Sequence, residues 1–313
     1  MLPGGGRASA RTMSTEPLSS ATAGKGTLGV ALLPIIWVVL AGAAEGRAPA
    51  QQPVPARVQA EAPRTIENDD ARLKDALASL RESRTCSTLT QVGTRYFELE
   101  VLDVATAYIG DAVKLDAKCA VAHDALAKVW RGQGLHSQAL GSAHRAVYFS
   151  PTSAAFWNTY GTIMQEVGRM EEAAAAYRRV TELDATAAYA HSNLCYLGML
   201  SGDTDRAASA CLAALAIDPN FVPALNNLAL LRAASGEAAN AFELFASAGG
   251  KAAAHYNMGM VRLSQRDFPA ALSAFEAAYR EDAAFDAAHE KARLVRRILK
   301  QRSEKLSADD SGR

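Results

Sequence analysis

Of the six histidines of this chain, whose imidazoles could hold a metal ion or move a proton near neutral pH, four share a regular spacing: His123, His191, His255 and His289. Ligation needs donors gathered at about 2 Å from one ion. All four occupy the same place in a 34-residue repeat, so they sit one or more repeats apart and do not converge. They read instead as replacements for a core aromatic, and no metal is expected. Gly24-Lys25-Gly26-Thr27 has the tail of a phosphate loop, but Ser19 stands where the leading glycine belongs and no strand precedes it. Neither GxSxG nor HExxH occurs, and the pair Glu171-Glu172 reads as a solvated helix start. Catalysis therefore has no address in the sequence, and neither an enzymatic activity nor a cofactor is expected.

Cys86, Cys119, Cys195 and Cys211 form no CxxC pair. Cys86 and Cys119 lie at the two ends of one repeat, too far apart on this reading for the ~4.4 to 6.8 Å Cα window of a disulfide, so free thiols are expected. Lys plus Arg and Asp plus Glu number 33 each, which disfavours nucleic acid as a partner. Apolar residues make up 49% but aromatics only 7%, with alanine in place of strand-forming Val, Ile and Tyr. The chain is predicted to be all-α.

The elements that must position any site emerge from self-comparison. Ala105, Ala139, Ala173, Ala207 and Ala241 recur every 34 residues, and Ala271 comes after 30. With this alanine as position 20, six units span 86–119, 120–153, 154–187, 188–221, 222–251 and 252–285. Position 8 is always small, from Gly93 to Gly259; position 7 is large and apolar; position 15 is glycine in the middle four units (Gly134, Gly168, Gly202, Gly236). Glycine there suits a helix that ends in a left-handed residue, and Pro151 and Pro219 at position 32 stop the second helix. Each unit is helix, tight turn, helix.

At these positions the chain resembles the tetratricopeptide repeat family. Unit three carries the pattern most fully, with Trp157, Tyr160-Gly161, Ala173 and Tyr177. The resemblance implies a right-handed superhelical solenoid with a concave groove lined by first helices. Unit one has Glu100 at position 15, unit two has Ala143 at position 24, and unit five is four residues short, which should alter the stacking of units five and six. Capping helices are expected at 67–83, started by Asp69 or Asp70 with Leu73, Leu77 and Leu80 inward, and at 286–302, where Arg293, Arg296, Arg297, Lys300 and Arg302 form a basic outer face. With them the solenoid spans 66–302, and residues 303–313 read as a disordered tail.

The same resemblance places positions 2, 5, 6, 9 and 12 on the concave face. In units four to six this selects Tyr189, Ser192, Asn193, Tyr196, Met199, Asn226, Asn227, Leu230, Tyr256, Asn257 and Met260 as a peptide-binding groove, with the tyrosines partly exposed. Asn193, Asn227 and Asn257 recur at position 6, where amides can bond an extended peptide backbone or serve the fold itself. The residues of the family's carboxylate clamp do not occur in three consecutive units.

Before the solenoid, residues 1–26 are basic through Arg7, Arg11 and Lys25. Residues 27–44 contain the uncharged run Leu28–Leu40 with small residues after it, and residues 45–65 form a Pro/Ala-rich spacer. The run fits either a cleaved signal or a single-pass anchor, and the charge bias puts the solenoid outside the cytoplasm. Ala43 stands where a lipid-bearing cysteine would be, so no lipidation is expected. The sequence therefore predicts a non-enzymatic scaffold of the bacterial cell envelope that binds a protein or peptide and touches membrane only through residues 27–44; units four to six resemble repeat proteins of bacterial pilus and secretion-system assembly, which implies a tie to those systems. The alternatives are a substrate-recruiting subunit of an enzyme assembly and a purely structural oligomerising solenoid.

Overall fold

A computed structural model describes residues 70–311; the segments 1–26, 27–44 and 45–65 lie outside the described residues. Thirteen helices succeed one another: α1 Ala71–Glu82, α2 Cys86–Glu98, α3 Leu102–Leu115, α4 Ala120–Gly132, α5 His136–Phe149, α6 Ala154–Glu166, α7 Met170–Leu183, α8 Ala188–Ser201, α9 Thr204–Ile217, α10 Val222–Ala234, α11 Ala238–Ser264, α12 Phe268–Glu281 and α13 Asp286–Ser311. No strand occurs among the described residues, and no helix there is long and apolar enough to cross a membrane.

Within each unit the two helices close on one contact. The six position 20 alanines are wholly buried. Position 8 is small because the position 24 side chain lies on it: a Cβ on Gly93 would stand 2.5 Å from Ile109 Cγ1, and one on Gly259 would stand 2.7 Å from the Phe275 ring. The turns repeat as well. Gly134, Gly168, Gly202 and Gly236 have φ between 72° and 83°, and Glu100 and Arg266 take φ of 61° and 60° at the same position. The next residue donates back to the carbonyl five earlier, as in Leu135 N to Trp130 O at 2.8 Å. Between units, Asp116, Asp184, Asp218 and Asp282 each accept the backbone N–H two residues on.

First helices of successive units touch, α2 with α4, α4 with α6 and α8 with α10, so one face of the stack is built from them. The short fifth unit has a visible consequence: its second helix and the first helix of unit six merge into α11, kinked at Gly250 with φ 82° and ψ 173°.

At the ends, Asp70 starts α1 by accepting from Leu73 N at 2.7 Å, and Leu73 is fully buried against Val92 and Tyr96. Helix α13 continues to Ser311, through residues whose composition reads as a disordered tail. The reason is that Lys, Gln, Glu, Leu and Ala are themselves good helix formers once a docked helix supplies the nucleus. Its basic face docks locally: Arg296 bonds Glu276 at 2.6 Å, and the Arg302 guanidinium lies 4.3 Å from the Phe268 ring centre.

The expectation of free thiols is overturned. Cys86 bonds Cys119 with Cα atoms 6.5 Å apart, and Cys195 bonds Cys211 at 5.2 Å. The first pair closes because parallel first helices start side by side, which brings the two ends of unit one together. The second pair stands at positions 8 and 24 of unit four, the contact that closes every hairpin.

Candidate peptide-binding face

The first-helix face contains the residues expected to form a groove in units four to six, and the structure divides them. Tyr189, Asn193, Tyr196, Asn226, Asn227 and Asn257 are partly exposed. Ser192, Met199, Leu230, Tyr256 and Met260 are buried, with exposures of 3%, 0%, 3%, 8% and 3%. Those five are corrected from groove surface to seam. Met199 and Leu230 join the core of units four and five, and Tyr256 packs on Phe275 and Phe285 with ring centres 5.5 and 5.0 Å away. Long apolar side chains here gain more by filling the gap between units than by facing water.

The asparagines make a ladder within the protein. Asn193 Nδ2 donates to Asn158 Oδ1 at 3.3 Å, and Asn227 Nδ2 donates to Ser192 at its carbonyl (3.4 Å) and hydroxyl (3.5 Å). Each rung runs from position 6 of one unit to position 5 of the unit before. The next rung would join Asn257 to Asn226, but Asn226 Oδ1 is buried without a partner, and between these two residues α11 is kinked at Gly250.

The open space on this face lies at the other end. A cleft of about 560 Å³ is walled by α1 and α2, with Arg72, Asp75, Gln91, Thr94 and Glu98 on its surface and Val121 of α4 at its edge. It shares Thr90, Thr94 and Val121 with a smaller chamber of about 200 Å³, closed by Phe97, Val129 and Phe156 and containing Asp124 and Lys128. The cleft wall is fixed by charge. Arg95 grips Asp70 through two hydrogen bonds and also bonds Glu98, which Arg72 reaches at 3.3 Å. The Arg95 hydrogen bond, with the Leu73 N–H behind it, holds the Asp70 carboxyl at about 2, and the two carboxylates push Arg95 upward. No residue of the expected groove lies in units one and two. The signal for this cleft in the sequence is the short Thr94 at position 9 of unit one, where units four to six carry Tyr196, Leu230 and Met260.

The histidines stay apart. His123 is buried and its Nε2 meets Ala117 O at 2.9 Å, His255 packs on Phe242, and His289 is exposed beside Tyr279 and so does not replace a core aromatic. Among the described residues no group of His, Cys, Asp and Glu is placed to hold a metal ion.

Comparison with known proteins agrees with this architecture. The tetratricopeptide repeat family model matches residues 154–186. No curated protein sequence is detectably similar to the chain. Among solved structures, PilW, described as a widely conserved type IV pilus biogenesis factor, is 21% identical with a TM-score of 0.57 over 66% of this chain and 97% of its own. PilF of Pseudomonas aeruginosa is 21% identical with a TM-score of 0.54 over 66% and 95%. A tetratricopeptide repeat protein from Parabacteroides merdae is 16% identical with a TM-score of 0.54 over 76% and 98%. At these identities the likeness is one of fold.

Proposed function

We propose that the chain, which shares the fold of tetratricopeptide repeat proteins, is a non-enzymatic scaffold of the bacterial cell envelope that holds a segment of a partner protein on its first-helix face. The observation that carries this reading is the cleft and chamber joined on that face at units one and two, within the ~300 to 1,000 Å³ range of binding sites when taken together. Its walls mix backbone-like donors and acceptors with apolar surface, which suits an extended peptide.

Two features support an envelope location. All four cysteines are paired, the condition of proteins outside the reducing cytoplasm. The run Leu28–Leu40, preceded by three basic residues and one acidic, has the make-up of an export or anchor segment. A narrower role in pilus or secretion-system assembly draws on the fold shared with PilW and PilF.

The test is site-specific photo-crosslinking in intact bacteria. A photoreactive residue at Gln91 or Thr94 should trap a partner from the envelope, and one at Tyr148, 72% exposed on a second helix, should not. Equal trapping at both places would refute the reading of the face. A periplasm-dependent reporter fused after residue 65 should be active, and an inactive one would refute the location.

A further inference from the structure

We propose, building on the first-helix face as a peptide site, that the chamber between units one and three is a pocket for one aromatic side chain with a hydrogen-bond donor at its tip, tryptophan or tyrosine, and that Asp124 is its acceptor. The asparagine ladder supplies the reason. In units three and four, position 5 accepts from position 6 of the next unit, as Asn158 does from Asn193 and Ser192 from Asn227. In unit two the acceptor is Asp124, and the matching donor in unit three is Thr159. Its hydroxyl instead donates to Ala155 O at 3.3 Å within its own helix. The rung is missing, and Asp124, 5% exposed, keeps Oδ1 buried without a partner.

Such an atom is costly to leave unpaired, and a small turn about the soft χ2 of aspartate presents it to the chamber that Asp124 borders. The chemistry of the chamber selects the guest. Lys128 Nζ already holds Oδ2 at 2.7 Å, so the carboxylate is neutralised and a second cation would be repelled. A neutral donor is wanted. Phe97, Ile109, Val129 and Phe156 enclose the space and favour a flat apolar body. Tryptophan and tyrosine join such a body to one N–H or O–H, while phenylalanine lacks the donor and lysine brings the wrong charge.

Saturation-transfer NMR on the full-length chain tests this with acetylated, amidated pentapeptides of serine and alanine carrying a central Trp, Tyr, Phe or Lys. The Trp and Tyr peptides should bind up to about tenfold tighter than the Phe peptide, the value of one hydrogen bond, and the Lys peptide weakest of all. Asp124→Ala should reduce Trp and Tyr to the level of Phe while the chain stays folded, since Oδ1 makes no internal bond and the pair lost at Oδ2 is with the half-exposed Lys128. Thr159→Asn, which restores the donor from within, should raise stability and displace the same peptides. The inference is overturned if Phe binds as well as Trp and Tyr, if Lys is preferred, if no peptide binds, or if Asp124→Ala leaves the ranking unchanged. None of these results touches the first-helix face as the partner site, which crosslinking from Gln91 decides separately.

Discussion

Asn193 donates its side-chain N–H to Asn158 Oδ1 at 3.3 Å across the seam between units three and four, and neither residue is next to the other in sequence or in the same helical hairpin. This bond converts a repeated asparagine from a hand extended to a ligand into a fastener between units. Asn193→Ala and Asn227→Ala should each lower unfolding free energy by about 0.5 to 1.5 kcal/mol in denaturant titration. Asn257→Ala should cost less, because the rung it would make to Asn226 is absent. An equal loss for all three would mean that the rungs are not what stabilises the seam.

The turns offer a second test that involves no side-chain contact. Glu100 and Arg266 hold φ of 61° and 60° where four other units have glycine, and a left-handed backbone costs a residue with a Cβ about 1 to 2 kcal/mol. Glu100→Gly and Arg266→Gly should therefore each stabilise the solenoid by up to about 1 kcal/mol after the greater unfolded-state entropy of glycine is deducted. Gly168→Ala should do the reverse, since its φ is 79° and a Cβ there meets nothing within 4 Å, leaving only backbone strain. Midpoints in urea decide the signs.

The repeat register was legible because it is enforced by packing at short range. Small residues at position 8 and alanine at position 20 admit one hairpin geometry, and left-handed glycines mark its turn. The residues that fail are those whose setting depends on the neighbouring unit. Tyr256 and Met199 have the positions of groove residues, yet the seam takes them in, because burial depends on how closely the next first helix approaches. Asp124 is hidden from sequence reasoning in the same way: its Oδ1 is an orphan, and Thr159 at the matching position of the next unit bonds its own helix. The disulfide Cys195–Cys211 stood in the aligned columns as a position 8 and position 24 pair, and those columns, when filled by Gly161 and Tyr177 or Gly259 and Phe275, already meet.

Both disulfides should be detected as such. Thiol titration of the unfolded, unreduced protein should find no free cysteine, and peptide mapping should recover the pairs Cys86–Cys119 and Cys195–Cys211. Any other pairing would contradict the register. Their separations of 33 and 16 residues imply, on the chain-entropy account, stabilisations of about 3.7 and about 3 kcal/mol. Replacing Cys86 and Cys119 together by alanine should thus shift the denaturation midpoint more than replacing Cys195 and Cys211. The opposite order would show that the loss of the tight hairpin contact in unit four outweighs chain entropy.

Acid should release the N-terminal helix through one residue. Asp70 both caps α1, by accepting from Leu73 N, and receives the Arg95 guanidinium of α2, and its carboxyl is held at about 2 against an ordinary value of 3.8. A carboxyl with a depressed value contributes stability that is complete above the unfolded value and is lost as pH falls through the folded one. The attachment of α1 should therefore be intact above pH about 4 and weaken between about 4 and 2. Asp111, Asp184 and Glu237 are also held low by hydrogen bonds, so the whole solenoid loses stability in acid, and the informative quantity is the difference between α1 and a distant helix such as α12. Amide hydrogen exchange should show α1 opening first in this range. In Asp70→Asn the cap acceptor remains but the charge is gone, so α1 should exchange faster than in the native chain already at pH 6, and the difference between α1 and α12 should no longer change between pH 4 and 2. If that difference still grew with acid in the variant, a group other than Asp70 would be holding the helix in place.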